Sequence, residues 1–547
     1  GIIVWVVRQK QNDSADYFLG GRDATWLAIG ASIFASNIGS EHLIGLAGAG
    51  ASSGMAMAHW EIQGWMILIL GWVFVPFYTR SMVYTMPEFL ERRYNPQSRT
   101  ILSVISLVSY VLTKVAVTVY AGGLVFQQVF GIKELWGIDF FWIAAIGLVV
   151  LTALYTIFGG MKSVLYTSVL QTPILLLGSL IILVLGFKEL GGWDEMMRVC
   201  GAVTVNDYGD TMTNLIRSND DANFPWLGAL IGSAIIGFWY WCTDQFIVQR
   251  VLSGKNEMEA RRGTIFGAYL KLLPVFLFLI PGMIAFALHQ KYIGAGGEGF
   301  LPMLANGTAN ADAAFPTLVA KLLPAGVKGL VVCGILAALM SSLASLFNSS
   351  AMLFTIDFYK RFRPETPEKK LVGIGQVATV VIVILGILWI PIMRSVGDVL
   401  YTYLQDVQSV LAPGIAAAFL LGICWKRTSA QGGMWGLIAG MVIGLTRLGA
   451  KVYYSNAGEV ADSTFKYLFY DMNWLFFCGW MFLFCIIVVI VVSLATEAPT
   501  AEKIQGLVFG TATKKQKAAT RASWNHWDII HTVIILAITA AFYWYFW

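Results

Sequence analysis

Long apolar runs, joined by short polar links, make up most of the chain. A run of about 20 apolar residues is long enough to cross a bilayer as a helix. Residues 1–7 indicate the end of one such helix. Thirteen further runs predict transmembrane helices at 25–50, 53–79, 98–130, 139–158, 163–187, 225–250, 262–289, 328–358, 371–393, 398–424, 429–449, 472–495 and 527–547. We therefore predict an all-α integral membrane protein with about 14 transmembrane helices.

The first of the thirteen runs is interrupted by polar residues near its middle. The stretch 31–63 is apolar enough for a membrane, yet it holds Asn37, His42 and Glu61. The cluster 36–40, Ser-Asn-Ile-Gly-Ser, offers short side chains that hydrogen-bond their own backbone and compete with the helix. We predict a break in the helix there. Unwound backbone at membrane depth is tolerated where it lines a cavity, and its carbonyls are then available to a cation.

A second run, 225–250, is irregular in a similar way. It opens on Pro225, contains three glycines and closes on Cys-Thr-Asp-Gln. Five predicted helices begin with each irregular run, and an odd number reverses the orientation of the second group. Two such groups form the five-plus-five inverted repeat of secondary transporters, whose substrate site lies where the irregular helices meet. The predicted organisation is 1–24, the end of an N-terminal accessory helix and a cytoplasmic link; 25–187, the first repeat; 188–224, an extracellular link; 225–425, the second repeat; and 426–547, the C-terminal accessory helices.

Composition and charge agree with a membrane protein. Hydrophobic residues make up 57% of the 547 and charged residues 13%, far below the roughly 25% charged of a soluble domain. If the links alternate sides, one side holds 24 Lys and Arg and the other 11, which makes the richer side cytoplasmic. Basic links account for the net charge of +5 without a nucleic-acid partner. We expect a multi-pass protein of the plasma (inner) membrane.

No pattern typical of an enzyme is present. The six cysteines show no CxxC spacing, and the five histidines show no HExxH. A nucleophile paired with a base is not apparent either. We therefore expect neither an enzyme nor an organic cofactor.

Four charged residues inside predicted helices stand out: Glu61, Lys114, Asp244 and Lys271. A charge at the bilayer centre costs roughly 2.5 to 3.5 kcal/mol, so each needs a partner or a wet cavity. For Lys114 and Asp244 a structural ion pair is an equal alternative to a functional role. Glu61 follows Trp60, and a ring beside a carboxylate favours a sugar site, since hydroxyls bind charged acceptors and C–H faces pack on rings.

The run 337–345 places Ser341, Ser342 and Ser345 at helical spacing. Close packing through small residues is one interpretation. Hydroxyls combined with the carbonyls of a broken helix would also supply the oxygen ligands of a hard cation, so that the site would need no carboxylate. This pattern favours Na⁺ as a coupling ion, while the two intramembrane carboxylates leave H⁺ as an alternative.

Four segments carry a resemblance to a known family. They are ASNIGSEHLIGLAGAGASSG, FWYWCTDQFIVQRVL, ALMSSLASLFNSSAMLFTIDFYKRF and PGIAAAFLLGICWKR. In this order they resemble the sodium/solute symporter family, and FWYWCTDQFIVQR resembles its sodium/glucose cotransporter branch. The likeness runs from about residue 16 to residue 495. It implies the five-plus-five fold and the movement of Na⁺ together with a sugar, a glucose- or galactose-like hexose, into the cell.

The resemblance also implies roles for individual residues. It places sodium ligands at the backbone carbonyls of Ala35, Ile38 and Ala338 and at the hydroxyls of Ser341 and Ser342. It places sugar contacts at Asn37, His42, Glu61, Trp241, Lys271 and Gln405, with Tyr240 closing beneath the sugar. Leu46, Trp60 and Tyr401 match an outer apolar gate.

Several positions depart from the family pattern. Gly237 and Gly64 replace side chains of sugar-transporting relatives, so an inositol, an amino acid or a carboxylate is an alternative solute, and a membrane sensor an alternative activity. Ser168 stands where many relatives have Asp, and Ala344 stands where a second sodium site offers a hydroxyl. We therefore expect one Na⁺ per cycle. Glu41 receives no role, and the oligomeric state is not predicted.

Overall fold

A computed structural model of the protein describes residues 13–39, 41–304, 307–393, 400–456 and 461–547. Its α-helices are α1 Ser14–Leu19, α2 Trp26–Asn37, α3 Ala47–Ser53, α4 Ala58–Glu61, α5 Gly64–Ile69, α6 Val75–Ser81, α7 Met86–Arg93, α8 Pro96–Ser109, α9 Ala116–Phe130, α10 Phe140–Leu190, α11 Trp193–Gly201, α12 Trp226–Gly237, α13 Gln245–Leu252, α14 Glu257–Lys271, α15 Ile280–Gly294, α16 Ala314–Leu322, α17 Ala325–Met352, α18 Lys360–Phe362, α19 Glu368–Met393, α20 Leu400–Cys424, α21 Ala430–Asn456, α22 Thr464–Lys466, α23 Trp474–Ala495, α24 Ala501–Ile504, α25 Lys514–Ala522 and α26 His526–Tyr545. One short antiparallel hairpin pairs β1 Glu134–Leu135 with β2 Ile138–Asp139.

Wider π-helical turns continue many of these helices. They lie at Glu41–Leu46, Leu70–Phe74, Tyr110–Val115, Phe238–Thr243, Val275–Leu279, Leu353–Tyr359 and Tyr467–Asp471. Short 3₁₀ turns lie at Gly20–Arg22, Gly54–Met57 and Ala311–Ala313. A π-helical turn admits an extra residue and is frequent at functional sites.

All thirteen predicted ranges overlap helices, which confirms the all-α membrane assignment. Among the described residues, 10 helical segments are long and apolar enough to cross a membrane. Trp26–Asn37 and Ala116–Phe130 are apolar but shorter, because irregular backbone adjoins each of them. The opening fragment, within 1–12, lies outside the described residues. The predicted count of about 14 is therefore not confirmed.

The predicted break in the first span is confirmed. α2 ends at Asn37, and Ile38 follows with φ −81° and ψ 96°, which is outside helical geometry. The π-helical turn Glu41–Leu46 then leads into α3. The first span therefore crosses the bundle as two helical pieces with unwound backbone between them.

The second irregular span is broken as well. α12 ends at Gly237, and the π-helical turn Phe238–Thr243 follows it. Asp244 then leaves helical geometry, with φ −75° and ψ 127°. Its carboxylate accepts a hydrogen bond from the backbone N–H of Phe246 at 3.2 Å, so the same residue ends one helix and caps the next.

The two predicted spans at 139–158 and 163–187 appear as the single kinked helix α10. The kink lies at Gly160, where φ is 53° and ψ is −150°. A Cβ at this position would lie 2.4 Å from the carbonyl oxygen of Tyr17. Only glycine accommodates both the left-handed φ and this approach of the N-terminal segment.

Both broken helices pack against several others. α2 packs against α10, α14 and α17, while α12 packs against α20 and α23. The C-terminal helix α26 lies along α5 and α14. It is attached by a hydrogen bond of 2.9 Å between Nδ1 of His59 and the hydroxyl of Tyr543. This packing surrounds the break after α2 with side chains from several other helices.

Candidate functional site

Polar side chains from separate helices meet around a cavity of about 30 Å³. The cavity lies between the break after α2, the π-helical turn Phe238–Thr243, α14 and α20. Its lining residues are Asn37, Glu41, His42, Trp60, Glu61, Gln63, Ile236, Gly237, Tyr240, Trp241, Lys271, Gln405 and Gln408. All the predicted substrate contacts are among them, so the fold brings together groups that lie far apart in the sequence. Their contact with a solute stays a prediction.

Glu61 is the centre of the charge network at this cavity. Its carboxylate accepts hydrogen bonds from Nζ of Lys271 at 2.6 Å and from Nε2 of His42 at 3.2 Å. Nζ of Lys271 also donates to Oδ1 of Asn37 at 3.3 Å. All four side chains are buried. Each buried charge thus has the partner that a charge at membrane depth requires.

Tyr240 and Trp241 form an aromatic wall of the cavity. Their rings are nearly perpendicular, at 89°, with centroids 4.9 Å apart. The hydroxyl of Tyr240 accepts a hydrogen bond from Nδ2 of Asn37 at 3.0 Å. The indole N–H of Trp241 donates to Oε1 of Gln63 at 3.3 Å, and Nζ of Lys271 lies 5.4 Å from the Trp241 ring centroid. The wall therefore combines ring faces with hydrogen-bonding groups.

Three polar atoms at the cavity have no hydrogen-bond partner among the described residues. They are Nδ1 of His42, Nε1 of Trp60 and Oε1 of Gln405, and all three side chains are buried. Leaving a buried polar group without a partner costs about 1–3 kcal/mol. A solute with several hydroxyls would supply the missing partners. The donors and acceptors suit a polyol, which this cavity of about 30 Å³ could hold only after it widens.

An ion pair lies next to this cavity without lining it. Nζ of Lys114 is 2.5 Å from Oδ2 of Asp244, and the hydroxyl of Tyr110 donates to the same carboxylate. Nζ of Lys114 also lies 4.8 Å from the centroid of the Tyr240 ring. The two charges are therefore partnered with each other, as the structural interpretation expects, and they pack against the aromatic wall.

The predicted sodium ligands lie where α2 ends against α17. The hydroxyl of Ser342 donates to the carbonyl of Ser36 at 3.0 Å, and the hydroxyls of Ser36 and Ser345 are 2.7 Å apart. A Cβ at Gly39 would lie 2.6 Å from Oγ of Ser342, so glycine permits this close approach. Buried Ser341 precedes Ser342. Hydroxyls and carbonyls, which are the oxygens a hard cation prefers, thus meet at the helix break.

The remaining predicted ligands adjoin this contact. Ala35 and Ile38 are buried on either side of the Ser36–Asn37 pair, and Ala338 lies one helical turn before Ser342. The hydroxyl of Ser168, on α10, is 3.4 Å from that of Ser341. Coordination of an ion by these atoms stays a prediction, which their proximity supports.

The predicted gates are described in part. Trp60 stacks on Trp474, with ring centroids 5.5 Å apart and an interplanar angle of 21°. Phe224 meets the same indole edge-on at 6.2 Å. Leu46 is fully buried in its π-helical turn. The side chain of Tyr401 lies outside the described residues. The gating roles stay predictions.

Four lining residues received no role from the sequence: Glu41, Gln63, Ile236 and Gln408. Gln408 follows Gln405 by three residues, and this helical spacing indicates a shared face. Gln63 occupies the space that Gly237 leaves, since a Cβ there would lie 2.5 Å from Oε1 of Gln63. A pairing between such distant positions has no local signal in a single sequence.

Comparisons with known proteins identify related chains. Residues 17–440 match the sodium:solute symporter family. The sodium/myo-inositol cotransporter 2 of Homo sapiens is 37% identical over 518 residues, which cover 92% of this chain and 76% of that protein. The sodium/myo-inositol cotransporter of Homo sapiens is 36% identical over 525 residues, which cover 92% of this chain and 72% of that protein. A Na⁺-coupled sialic acid symporter, solved in a substrate-bound outward-open state, has a similar fold with a TM-score of 0.71 and 22% identity, covering 91% of this chain and 96% of that one.

Proposed function

The chain belongs to the sodium:solute symporter family, and on this premise we propose that it carries Na⁺ and a cyclic polyol of the inositol class into the cell together. The coarser function is that of a Na⁺-coupled solute symporter of the membrane, and not of an enzyme. The proposal concerns the solute, the site of the ion and the coupling between them.

The polar atoms without partners at the cavity support a solute with several hydroxyls. Nδ1 of His42, Nε1 of Trp60 and Oε1 of Gln405 belong to three different helical segments. A ring with a hydroxyl on every carbon, as in an inositol, offers donors and acceptors in all of these directions. A hexose was expected from the motif FWYWCTDQFIVQR, but the human relatives are named for myo-inositol. The unpartnered atoms suit a hexose as well as an inositol, and the relatives favour the inositol alternative.

We place the coupling ion at the contact between α2 and α17. Its proposed ligands are the carbonyls of Ala35, Ile38 and Ala338 and the hydroxyls of Ser341 and Ser342. An ion there would hold the two helices together through oxygens from both. Asn37 belongs to the same turn of α2 and hydrogen-bonds to Tyr240 and Lys271. Release of the ion would loosen this turn and, with it, the solute site.

We place the moving parts in the two proposed repeats, 25–187 and 225–425. Each repeat begins with a broken helix, and both broken helices contribute residues to the cavity. Repeats of this kind move against each other around a site near the midplane and so expose it to either side in turn. The plasma membrane is the proposed location.

Uptake into proteoliposomes tests the proposal. With an imposed Na⁺ gradient, labelled myo-inositol should accumulate and carry inward current, while glucose and galactose should be taken up at least tenfold less. Replacing Na⁺ by K⁺ and omitting the protein are the controls. Preferred uptake of a hexose would reassign the solute. Binding of inositol without Na⁺-driven accumulation would indicate a sensor.

A further inference from the structure

A long apolar groove lies on the outer face of α19, away from the cavity described above. It has a volume of about 1230 Å³ and runs between α19, α8 and the π-helical turn Leu353–Tyr359 that follows α17. Val377, Val381 and Leu385 line it and are otherwise exposed. In a membrane these side chains face lipid. A concave apolar surface can hold one lipid molecule on several sides, whereas a flat helix face cannot.

The groove is long enough for an acyl chain. It extends from Lys370 to Leu388 along one helix, a rise of about 27 Å at 1.5 Å per residue. The whole hydrocarbon core of a bilayer is about 30 Å thick, so an acyl chain of one leaflet would occupy roughly half of the groove, beginning at the Lys370 end. Pockets for compact small molecules measure roughly 300–1,000 Å³. The groove therefore suits an elongated chain better than a compact solute.

One end of the groove is polar and positively charged. Lys370 and Tyr359 line it there. Among the described residues, Nζ of Lys370 makes no ion pair, while its neighbour Glu368 is paired with Lys360 at 2.9 Å. The link 360–370 holds five basic and two acidic residues, and the positive-inside rule places it in the cytoplasm. Basic pockets on that side attract anionic headgroups.

We propose that this groove binds an anionic glycerophospholipid of the cytoplasmic leaflet. Its phosphate contacts Lys370 and the hydroxyl of Tyr359, and an acyl chain lies along α19. The apolar length and the unpaired ammonium at one end together distinguish this lipid from a sterol, which has no charge, and from a zwitterionic lipid, which carries its own cation.

Photolabelling of the full-length protein in detergent micelles tests the site. The probes are phosphatidylglycerol and phosphatidylcholine, each with a diazirine in the acyl chain. Phosphatidylglycerol should label peptides from α8, α19 and the π-helical turn Leu353–Tyr359, at least fivefold more than phosphatidylcholine does. Equal labelling by both probes, or labelling confined to other helices, would overturn the proposal. Displacement of the label by a sterol would overturn it as well.

Filling the groove provides the first variant. A Cβ at Gly373 would meet nothing within 4 Å, and this glycine lines the groove. Gly373→Trp should therefore reduce labelling at least tenfold. Gly147→Trp, at another position where nothing lies within 4 Å, is the matched control and should leave labelling unchanged. Undiminished labelling of Gly373→Trp would contradict the proposal.

Removing the charge provides a second variant that does not depend on the first. Lys370→Gln should weaken phosphatidylglycerol binding about fivefold, as expected for one Lys at a membrane surface, with no effect on phosphatidylcholine. Lys515→Gln, at an exposed position of α25 on the side predicted to be cytoplasmic, is the control, and its phosphatidylglycerol binding should stay within twofold of that of the unaltered protein. Gel filtration checks that each variant is folded. Unchanged phosphatidylglycerol binding by a folded Lys370→Gln variant would exclude the headgroup site.

Discussion

Ser342 and Gln405 are both buried, but the protein uses their hydrogen-bonding groups differently. The hydroxyl of Ser342 already has a partner in the carbonyl of Ser36, at 3.0 Å. Oε1 of Gln405 has none among the described residues. Removing a satisfied group costs the protein an interaction, whereas removing an unsatisfied one does not. The two side chains should therefore respond differently to substitution.

For Ser342→Ala we expect weaker Na⁺ activation of transport. Loss of one ligand, worth about 1.4 kcal/mol, should raise the half-saturating Na⁺ concentration about tenfold. Solute affinity at saturating Na⁺ should change little. The measurement is initial uptake against Na⁺ concentration in proteoliposomes. Ser345→Ala is the control, because Ser345 contacts Ser36 at 2.7 Å but is not a proposed ligand. An unchanged Na⁺ dependence of Ser342→Ala would remove Ser342 from the ion site.

For Gln405→Leu we expect a loss of solute affinity without a loss of stability. The dissociation constant for myo-inositol should rise about tenfold, since one hydrogen bond to the solute is lost. The melting temperature should not fall, because Oε1 has no protein partner to lose. Gln63→Leu is the contrasting variant: its amide donates to the carbonyl of Ser233 at 2.8 Å, so it should also lower the melting temperature. A destabilised Gln405→Leu with normal affinity would contradict this assignment.

The cavity is built largely by irregular pieces of helix. The π-helical turn Glu41–Leu46 supplies Glu41 and His42, and the turn Phe238–Thr243 supplies Tyr240 and Trp241. Wider turns shift the side chains that follow relative to regular helical spacing. The periodicity of the sequence therefore predicts which side chains share a face less well in these turns than in regular helices.

Gly160 holds the kink of α10 against the N-terminal segment, so Gly160→Ala should destabilise the fold. Its φ is 53°, and a Cβ would lie 2.4 Å from the carbonyl of Tyr17. A strained residue of this kind costs about 1–3 kcal/mol, which should lower the melting temperature by several degrees. Na⁺ affinity of the remaining folded protein should be unchanged.

Gly147→Ala on the same helix is the matched control for Gly160→Ala. A Cβ at Gly147 would meet nothing within 4 Å, and alanine is the better helix former. Its melting temperature should be equal or higher. Equal melting temperatures for the two variants would show that the kink does not require glycine.

At the scale of the whole molecule, the proposed coupling of ion and solute runs through one short piece of chain. Backbone at Ala35 and Ile38 is assigned to the ion, while the side chain of Asn37 belongs to the hydrogen-bond network around Glu61. Because the two proposed sites share this turn, neither can rearrange without the other. One Na⁺ per cycle is the expected ratio, since Ser168 and Ala344 lack the groups that relatives offer to a second ion.

This ratio predicts a limit on accumulation. One charge moving through about 100 mV releases roughly 2.3 kcal/mol, and a tenfold Na⁺ gradient adds about 1.4 kcal/mol. Together they support a solute gradient of several hundredfold. Paired ²²Na⁺ and labelled inositol fluxes in proteoliposomes should give a ratio of about one. Collapsing the potential with valinomycin and K⁺ should reduce the limit to about tenfold. A flux ratio of about two would contradict a single ion site.

Local features of the sequence predicted the membrane location, the helix positions, the break in the first span and the irregularity of the run 225–250. Each of these depends on residues near one another, such as the length of an apolar run or a cluster of short polar side chains at 36–40. The seven predicted substrate contacts came from the resemblance to a family, and the structure brings all of these residues to one cavity. The count of spans was not confirmed: irregular turns shorten two of the helices, two predicted spans form the single helix α10, and the opening fragment lies outside the described residues.

The partners of the buried groups were decided only by tertiary structure. The pairing of Lys114 with Asp244, the filling of the space at Gly237 by Gln63 and the place of Glu41 on the cavity all join distant parts of the chain. The same holds for the polar atoms left without partners. Whether a buried group is satisfied depends on what the folded chain places within about 3 Å of it, and no local pattern encodes that distance.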